Sequence, residues 1–201
     1  MDLAELEGWA GAMLRASNVD TDGPVPVVAL ARAVTGHAPR WTSLPQASVV
    51  RGGVIYLRRG LPLTKAREAV CHELAEVAHA GYCGADIEAR CDTLGAMLLA
   101  PRGAFRRAVT RLGHRVHELA KVFCCSQSLA LLRVGEVTGR PVMLLTPRGQ
   151  LARGDAFGWP STSTLVRALR DGRSRVHPLQ ITDAPDRWGL MAERAAWLFA
   201  D

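Results

Sequence analysis

Apolar residues recur at helical spacing from the start of the chain. Leu3, Leu6, Trp9, Ala10, Met13 and Leu14 form one face of a helix predicted over residues 2–16. Asn18 to Pro26 is rich in turn formers, and Val27 to Val34 reads as a short helix stopped by Gly36. Arg40 to Val50 contains Pro45 and keeps no period, so it is expected to be irregular. Val54-Ile55-Tyr56-Leu57, between Gly52-Gly53 and Arg58-Arg59-Gly60, has the composition of a strand bounded by turns. Thr64 is the expected N-cap of a helix through Val70, Leu74 and Val77 to about Ala80. Gly81 and Gly84 interrupt the pattern, and a further helix is predicted from Asp86 through Leu94, Leu98 and Leu99.

Pro101 suits the first position of the next helix, with Phe105, Val109 and Leu112 on its apolar side. Val116 to Phe123 and Ser126 to Val137 read as a helix-turn-helix-like pair around Cys124-Cys125, with Ser126 as cap. Val142 to Leu145 is a strand candidate ended by Pro147-Arg148-Gly149. Beyond it lie a predicted helix from Thr164 to Arg170, a strand candidate from Arg175 to Leu179, and a terminal segment carrying Trp188, Trp197 and Phe199. The pattern implies a mixed α+β protein, mostly helical on a small sheet. Residues 1–145 form the expected main domain, including the helical pair 116–137, and residues 146–201 a small C-terminal extension.

Composition narrows the class. With 201 residues, 48% hydrophobic and 22% charged, the chain is globular in character. It has no run of apolar residues long enough for a membrane span, and its acidic start, Met1-Asp2-Leu3-Ala4-Glu5, does not resemble a secretory signal. Five cysteines at 71, 83, 91, 124 and 125 follow no framework spacing, which points to a reduced, cytoplasmic protein without membrane partners. Charge is unevenly spread. Residues 1–100 carry nine basic and eleven acidic side chains (−2), residues 101–201 sixteen and eight (+8), and only Lys65 and Lys121 are lysines. Arg102, Arg106, Arg107, Arg111 and Arg115 are the candidate basic surface, read either as a solvated helix face or as a contact for an acidic partner. No aromatic residue interleaves them as a stacking platform does, so protein binding ranks above nucleic-acid binding and no sequence-specific duplex recognition is expected.

The candidate chemistry lies in Cys71-His72-Glu73-Leu74-Ala75-Glu76-Val77-Ala78-His79. It approaches H-E-x-x-H, in which two histidines one helical turn apart hold zinc and the glutamate between them activates water. Here the fifth position is Glu76. His114, His117, Cys124-Cys125 and Ser161-Thr162-Ser163-Thr164 have plainer readings as surface, packing and capping residues, and no glycine-rich phosphate loop or serine-hydrolase elbow is present.

Ile55-Tyr56-Leu57, then Lys65 to Leu74 containing His72-Glu73, then Glu88 to Pro101 ending in Leu98-Leu99-Ala100-Pro101, resemble the ImmA/IrrE family of metallopeptidases. Leu119-Ala120-Lys121-Val122-Phe123 and the helix after Ser126 are similar to the segment following that family's peptidase core, so the resemblance spans roughly residues 1–145. It implies a minimal zincin-like core that cuts helix-turn-helix repressors of phage, mobile-element or stress-response genes. The family pattern is H-E-x-x-H followed by E-A-N/D-x-F-A-x-x-L-L-x-P, whose glutamate is the third zinc ligand. On that pattern His72 matches the first ligand, Glu73 the general base and Glu76 the second histidine. Counted back from Pro101, Leu94 matches the phenylalanine, Asp92 the asparagine and Arg90 the ligand glutamate.

Arginine offers no lone pair to a metal and stays charged. Glu76 and Arg90 are therefore expected to meet as a carboxylate–guanidinium pair where zinc otherwise sits. The leading expectation is a degenerate ImmA/IrrE-like pseudopeptidase without a cofactor. It would act through a protein partner, such as a helix-turn-helix regulator, with nucleic acid as the lesser option. The alternative shifts the second helix by two residues, so that His72, Glu76 and Glu88 or Asp92 hold zinc and Glu73 is the base of an active endopeptidase. Two further readings stay open: a structural zinc on His79, Cys83 and Cys91, and an amphipathic helix that only mimics the motif.

Overall fold

The structure is a computed structural model that describes residues 3–79, 87–139, 142–146, 149–154, 179–184 and 187–192. The chain divides into two compact units, one of residues 1–105 with 121–126 and the other of 106–120 with 127–201. Among the described residues it is an α+β protein of seven helices with a small three-stranded mixed sheet and a second, antiparallel sheet.

The expected helices form, because each buries one apolar stripe. Helix α1 (Leu3–Ala16) buries Leu6, Ala10 and Leu14. Helix α2 (Val27–Thr35) ends at Gly36, whose φ of 77° is the left-handed cap conformation and whose N–H donates to the Arg32 carbonyl. Helix α3 (Leu63–Ala78) begins one residue before the expected Thr64 cap. Pro62 holds the entry position with φ −54°, its carbonyl accepts the Ala66 N–H, and Thr64 lies within the first turn. Helix α4 (Ile87–Leu99) buries Cys91, Leu94, Gly95, Met97, Leu98 and Leu99. Its predicted start at Asp86 lies outside the described residues. Pro101 precedes α5 (Arg102–Leu112), and its carbonyl accepts the Phe105 N–H to open that helix.

The stretch expected to be irregular is strand in two places. Strands β1 (Arg40–Thr42) and β2 (Ser48–Arg51) flank β3 (Val54–Arg58) in the order β1-β3-β2. The β1–β3 pair is parallel and the β2–β3 pair antiparallel. Three and four residues are too few to show a period, and the pairing comes from β3, whose Val54, Ile55 and Leu57 are buried. Helix α3 packs over this sheet and α4 packs on α3.

Side chains of α3 also hold the residues 121–126. Arg67 donates from Nε to the Cys124 carbonyl (3.1 Å) and from Nη2 to the Val25 carbonyl (2.9 Å). Glu68 accepts the Ser126 N–H at 2.7 Å. Phe105 and Phe123 pack with ring centroids 5.0 Å apart. Burial pushes the thiols of Cys71 and Cys125 up to about 12 and that of Cys91 to about 11, so all three are protonated packing groups.

Helix α6 (Val116–Phe123) begins the helical pair and α7 (Gln127–Thr138) completes it. Cys124, with φ 49°, ends α6. Strand β4 (Val142–Thr146) pairs with β5 (Gly149–Gly154) and with β7 (Arg187–Ala192), and β6 (Leu179–Ala184) pairs with β7, giving the antiparallel order β5-β4-β7-β6. The expected domain division after residue 145 thus falls on a strand that pairs with the C-terminal segment. The predicted helix Thr164–Arg170, most of the strand candidate Arg175–Leu179, and Trp197 and Phe199 lie outside the described residues.

Candidate metal centre

Where α3 and α4 cross, the backbones come close. A Cβ added at Gly95 of α4 would sit 3.1 Å from the His72 nitrogen and 3.2 Å from the Cys71 carbonyl carbon, so any other residue would push the two backbones apart by a few tenths of an ångström. The close crossing presents His72 of α3 to the exposed row of α4. His72 Nδ1 donates to Asp92 Oδ1 at 2.9 Å. Its Nε2 faces Glu76 Oε1 at 3.3 Å and Glu88 Oε2 at 3.5 Å. The ligand atoms of His72, Glu76 and Glu88 lie within 4.8 Å of one another.

The two spacings from His72 Nε2 are those of neighbouring metal ligands. Donors at about 2.1 Å from a tetrahedral ion stand about 3.4 Å apart. The two ring nitrogens also divide their roles as a ligating histidine requires: Nε2 faces the candidate ligands, while Nδ1–H is held by a carboxylate that fixes tautomer and ring orientation. His72, Glu76 and Glu88 are therefore the candidate ligands, and Asp92 orients the imidazole. A tetrahedral ion held by these three residues would keep a fourth position for water or substrate.

Glu73 lies beside the cluster, 4% exposed, and its Oε2 has no hydrogen-bond partner. Burial pushes its carboxyl upward, against the Ser48 side chain of β2, which pulls it down. All five side chains line one open cleft of about 700 Å³ between β2, α3 and α4. Around His72 the hydrogen bond to Asp92 raises the imidazole most. Partial burial opposes it, the charges of Asp92, Glu76 and Glu88 add to it, and the result is a pKa of about 9. The three carboxylates thus favour the protonated imidazole.

The expected Glu76–Arg90 ion pair does not form. Glu76 turns to His72, and Arg90 has no carboxylate partner among the described residues. Helical geometry explains it: Glu88 and Asp92 are four residues apart and share the face toward α3, whereas Arg90 lies about 200° around the helix from Glu88. Counting residues back from Pro101 matched the linear motif but not this face. His79 is also placed differently from the structural-zinc reading. It is buried, stacks on Trp9 with centroids 5.3 Å apart, and its Nδ1 hydrogen-bonds the Ala75 carbonyl. Cys83 lies outside the described residues.

Ser48 and Glu68 of the cleft, and Gly95 at the crossing of α3 and α4, are not singled out by the sequence pattern. Glycine inside a strong helical pattern is a signal of close backbone approach, and Gly95 is such a case. The arginines of α5 all lie on its exposed side, and Arg102 meets Glu7 at 3.7 Å.

No family model matches the chain, and no curated protein sequence matches it. Among solved structures it is similar to a transcriptional regulator from Mycobacterium tuberculosis, with 15% identity and a TM-score of 0.67, covering 94% of this chain and 76% of that one. At this identity the likeness concerns the fold alone. Among the described residues no helix is long and apolar enough to cross a membrane.

Proposed function

We propose that the cleft is a divalent-metal site and that the protein is a metal-dependent endopeptidase of ImmA/IrrE-like type acting in gene regulation. The observation that carries this reading is the convergence of His72 Nε2, Glu76 and Glu88 at coordination spacing, with Nδ1 already engaged by Asp92. The sequence resemblance supports the regulatory assignment, as does the fold shared with a transcriptional regulator. A helix-turn-helix regulator is the substrate class that the resemblance implies.

His72, Glu76 and Glu88 would hold the ion. Their carboxylate-rich set suits Mn²⁺ as well as Zn²⁺. An ion held there supplies Lewis acidity toward a peptide carbonyl and lowers the pKa of water. Glu73 then has the general-base role: its free, buried oxygen takes a proton from the attacking water and returns it to the leaving amine. A carboxylate oxygen left unpaired in the interior costs about 1–3 kcal/mol, which a purely structural residue would not retain. Asp92 keeps the imidazole in the tautomer that frees Nε2.

The degenerate reading remains as a second one, favoured by Glu76 at the position of the family's second histidine. In it the same cleft binds a protein partner without cutting it. Reconstitution with Zn²⁺ or Mn²⁺, followed by digestion of an unfolded protein such as casein, separates the two. Metal-dependent cleavage lost in Glu73→Gln, with metal retained, supports the enzyme. Failure of the wild-type protein to take up either ion leaves the binding reading.

A further inference from the structure

The exposed positions of α5 are Arg102, Gly103, Arg106, Arg107, Thr110 and Arg111, and Arg115 follows one turn later, also exposed. This face has no acidic side chain and no apolar one. Arg102 is engaged by Glu7, whereas Arg106 and Arg111 form no ion pair among the described residues. Helix α7, the second of the helical pair, is less accessible. No residue of α7 from Gln127 to Thr138 is exposed, and its arginine, Arg133, is fully buried and paired with Glu136. Every side chain of α7 is thus buried or half-buried, whereas α5 carries fully exposed arginines.

We infer that the face formed by Arg106, Arg107, Arg111 and Arg115 binds the phosphate backbone of duplex DNA without regard to sequence. Charge complementarity selects a polyanion, because Arg106 and Arg111 are exposed with no ion pair among the described residues and no acidic residue occurs between Arg102 and Arg115. A protein partner is disfavoured because stable protein interfaces centre on buried apolar or aromatic anchors, and this face offers none. A single strand is disfavoured because no exposed aromatic residue on α5 gives a base something to stack on. Duplex phosphates need neither feature, and arginine forks match their oxygens. Contacts of arginine to phosphate oxygens carry no base information, so equal binding to any duplex is expected. This inference stands apart from the peptidase reading, and its test involves no metal and no catalysis.

Fluorescence anisotropy of a labelled duplex of arbitrary sequence, titrated with the full chain at several salt concentrations, tests it. Binding in the micromolar range is expected, equal for scrambled duplexes. The slope of log K against log salt should be about −3 to −4, from roughly four neutralised phosphates. Arg106→Ala/Arg107→Ala/Arg111→Ala should weaken binding at least tenfold and reduce the slope by about three units, with unchanged circular dichroism and metal uptake. The single charge reversal Arg111→Glu should act in the same direction, should the triple variant fold poorly. Undiminished binding by these variants overturns the inference, and so does a wild-type protein that takes poly-glutamate of matched charge but not duplex.

Discussion

His72 gives each ring nitrogen to a different kind of partner, and the chemistry of the cleft depends on that division. Nδ1 belongs to Asp92, and Nε2 looks into a gap bounded by Glu76 and Glu88. In the metal-free protein a proton on the imidazole supplies the charge these carboxylates require. Its folded pKa, about 9, lies above the ordinary 6.5, so the stabilisation is complete below about pH 6.5 and is lost as pH rises through about 9. Urea midpoints of metal-free protein should fall across that window, and the fall should be absent in His72→Ala. Glu73 behaves in the opposite sense to a stabilising residue. Its buried carboxyl resists ionisation, so Glu73→Gln should raise the thermal midpoint of the metal-free protein at neutral pH while abolishing cleavage. Much of this site is legible in the sequence: His72-Glu73 and Glu76 within one helix, and Glu88 and Asp92 four residues apart on the next. Arg90 was misplaced because a motif read as a string does not say which side of a helix each letter occupies. The burial of Glu73 and the contact with Ser48 are long-range facts that no local pattern contains.

Two helices and one glycine set the geometry at the scale of elements. Gly95→Ala places a methyl group against the backbone of His72 and Cys71, which cannot swing aside as a side chain tip can. The variant should lose about 1–3 kcal/mol of stability, and its metal affinity should drop because α4 carries Glu88 and Asp92 away from α3. Isothermal titration with Mn²⁺ alongside denaturant unfolding measures both. A drop in stability with unchanged affinity would show that the crossing does not position the ligands. The helices were readable because each repeats its apolar positions over two or more turns, and α2 adds a glycine stop at Gly36. Strands β1 and β2 were not. They span three and four residues on either side of Pro45, and β1 pairs in parallel with a strand more than ten residues away. Such pairing is fixed by the buried β3 and leaves no local signature.

At the scale of the molecule, the acidic cleft and the arginine face fall in different units. The acidic cleft lies in the first, while the second holds Arg106, Arg107, Arg111 and Arg115. A ligand that binds only the folded form of one unit stabilises that unit, by about 2.7 kcal/mol at a hundredfold excess over its dissociation constant. Calorimetry should therefore show one metal-sensitive transition, and a transition assigned to residues 127–201 should stay in place. The most direct test of the central claim is metal content, measured by mass spectrometry on protein loaded with Zn²⁺ or Mn²⁺ and dialysed without chelator. About one ion per chain in the wild type, lost in His72→Ala and strongly reduced in Glu88→Ala, is the predicted result. A wild-type chain that retains no ion, or one whose ion survives loss of His72, would contradict it.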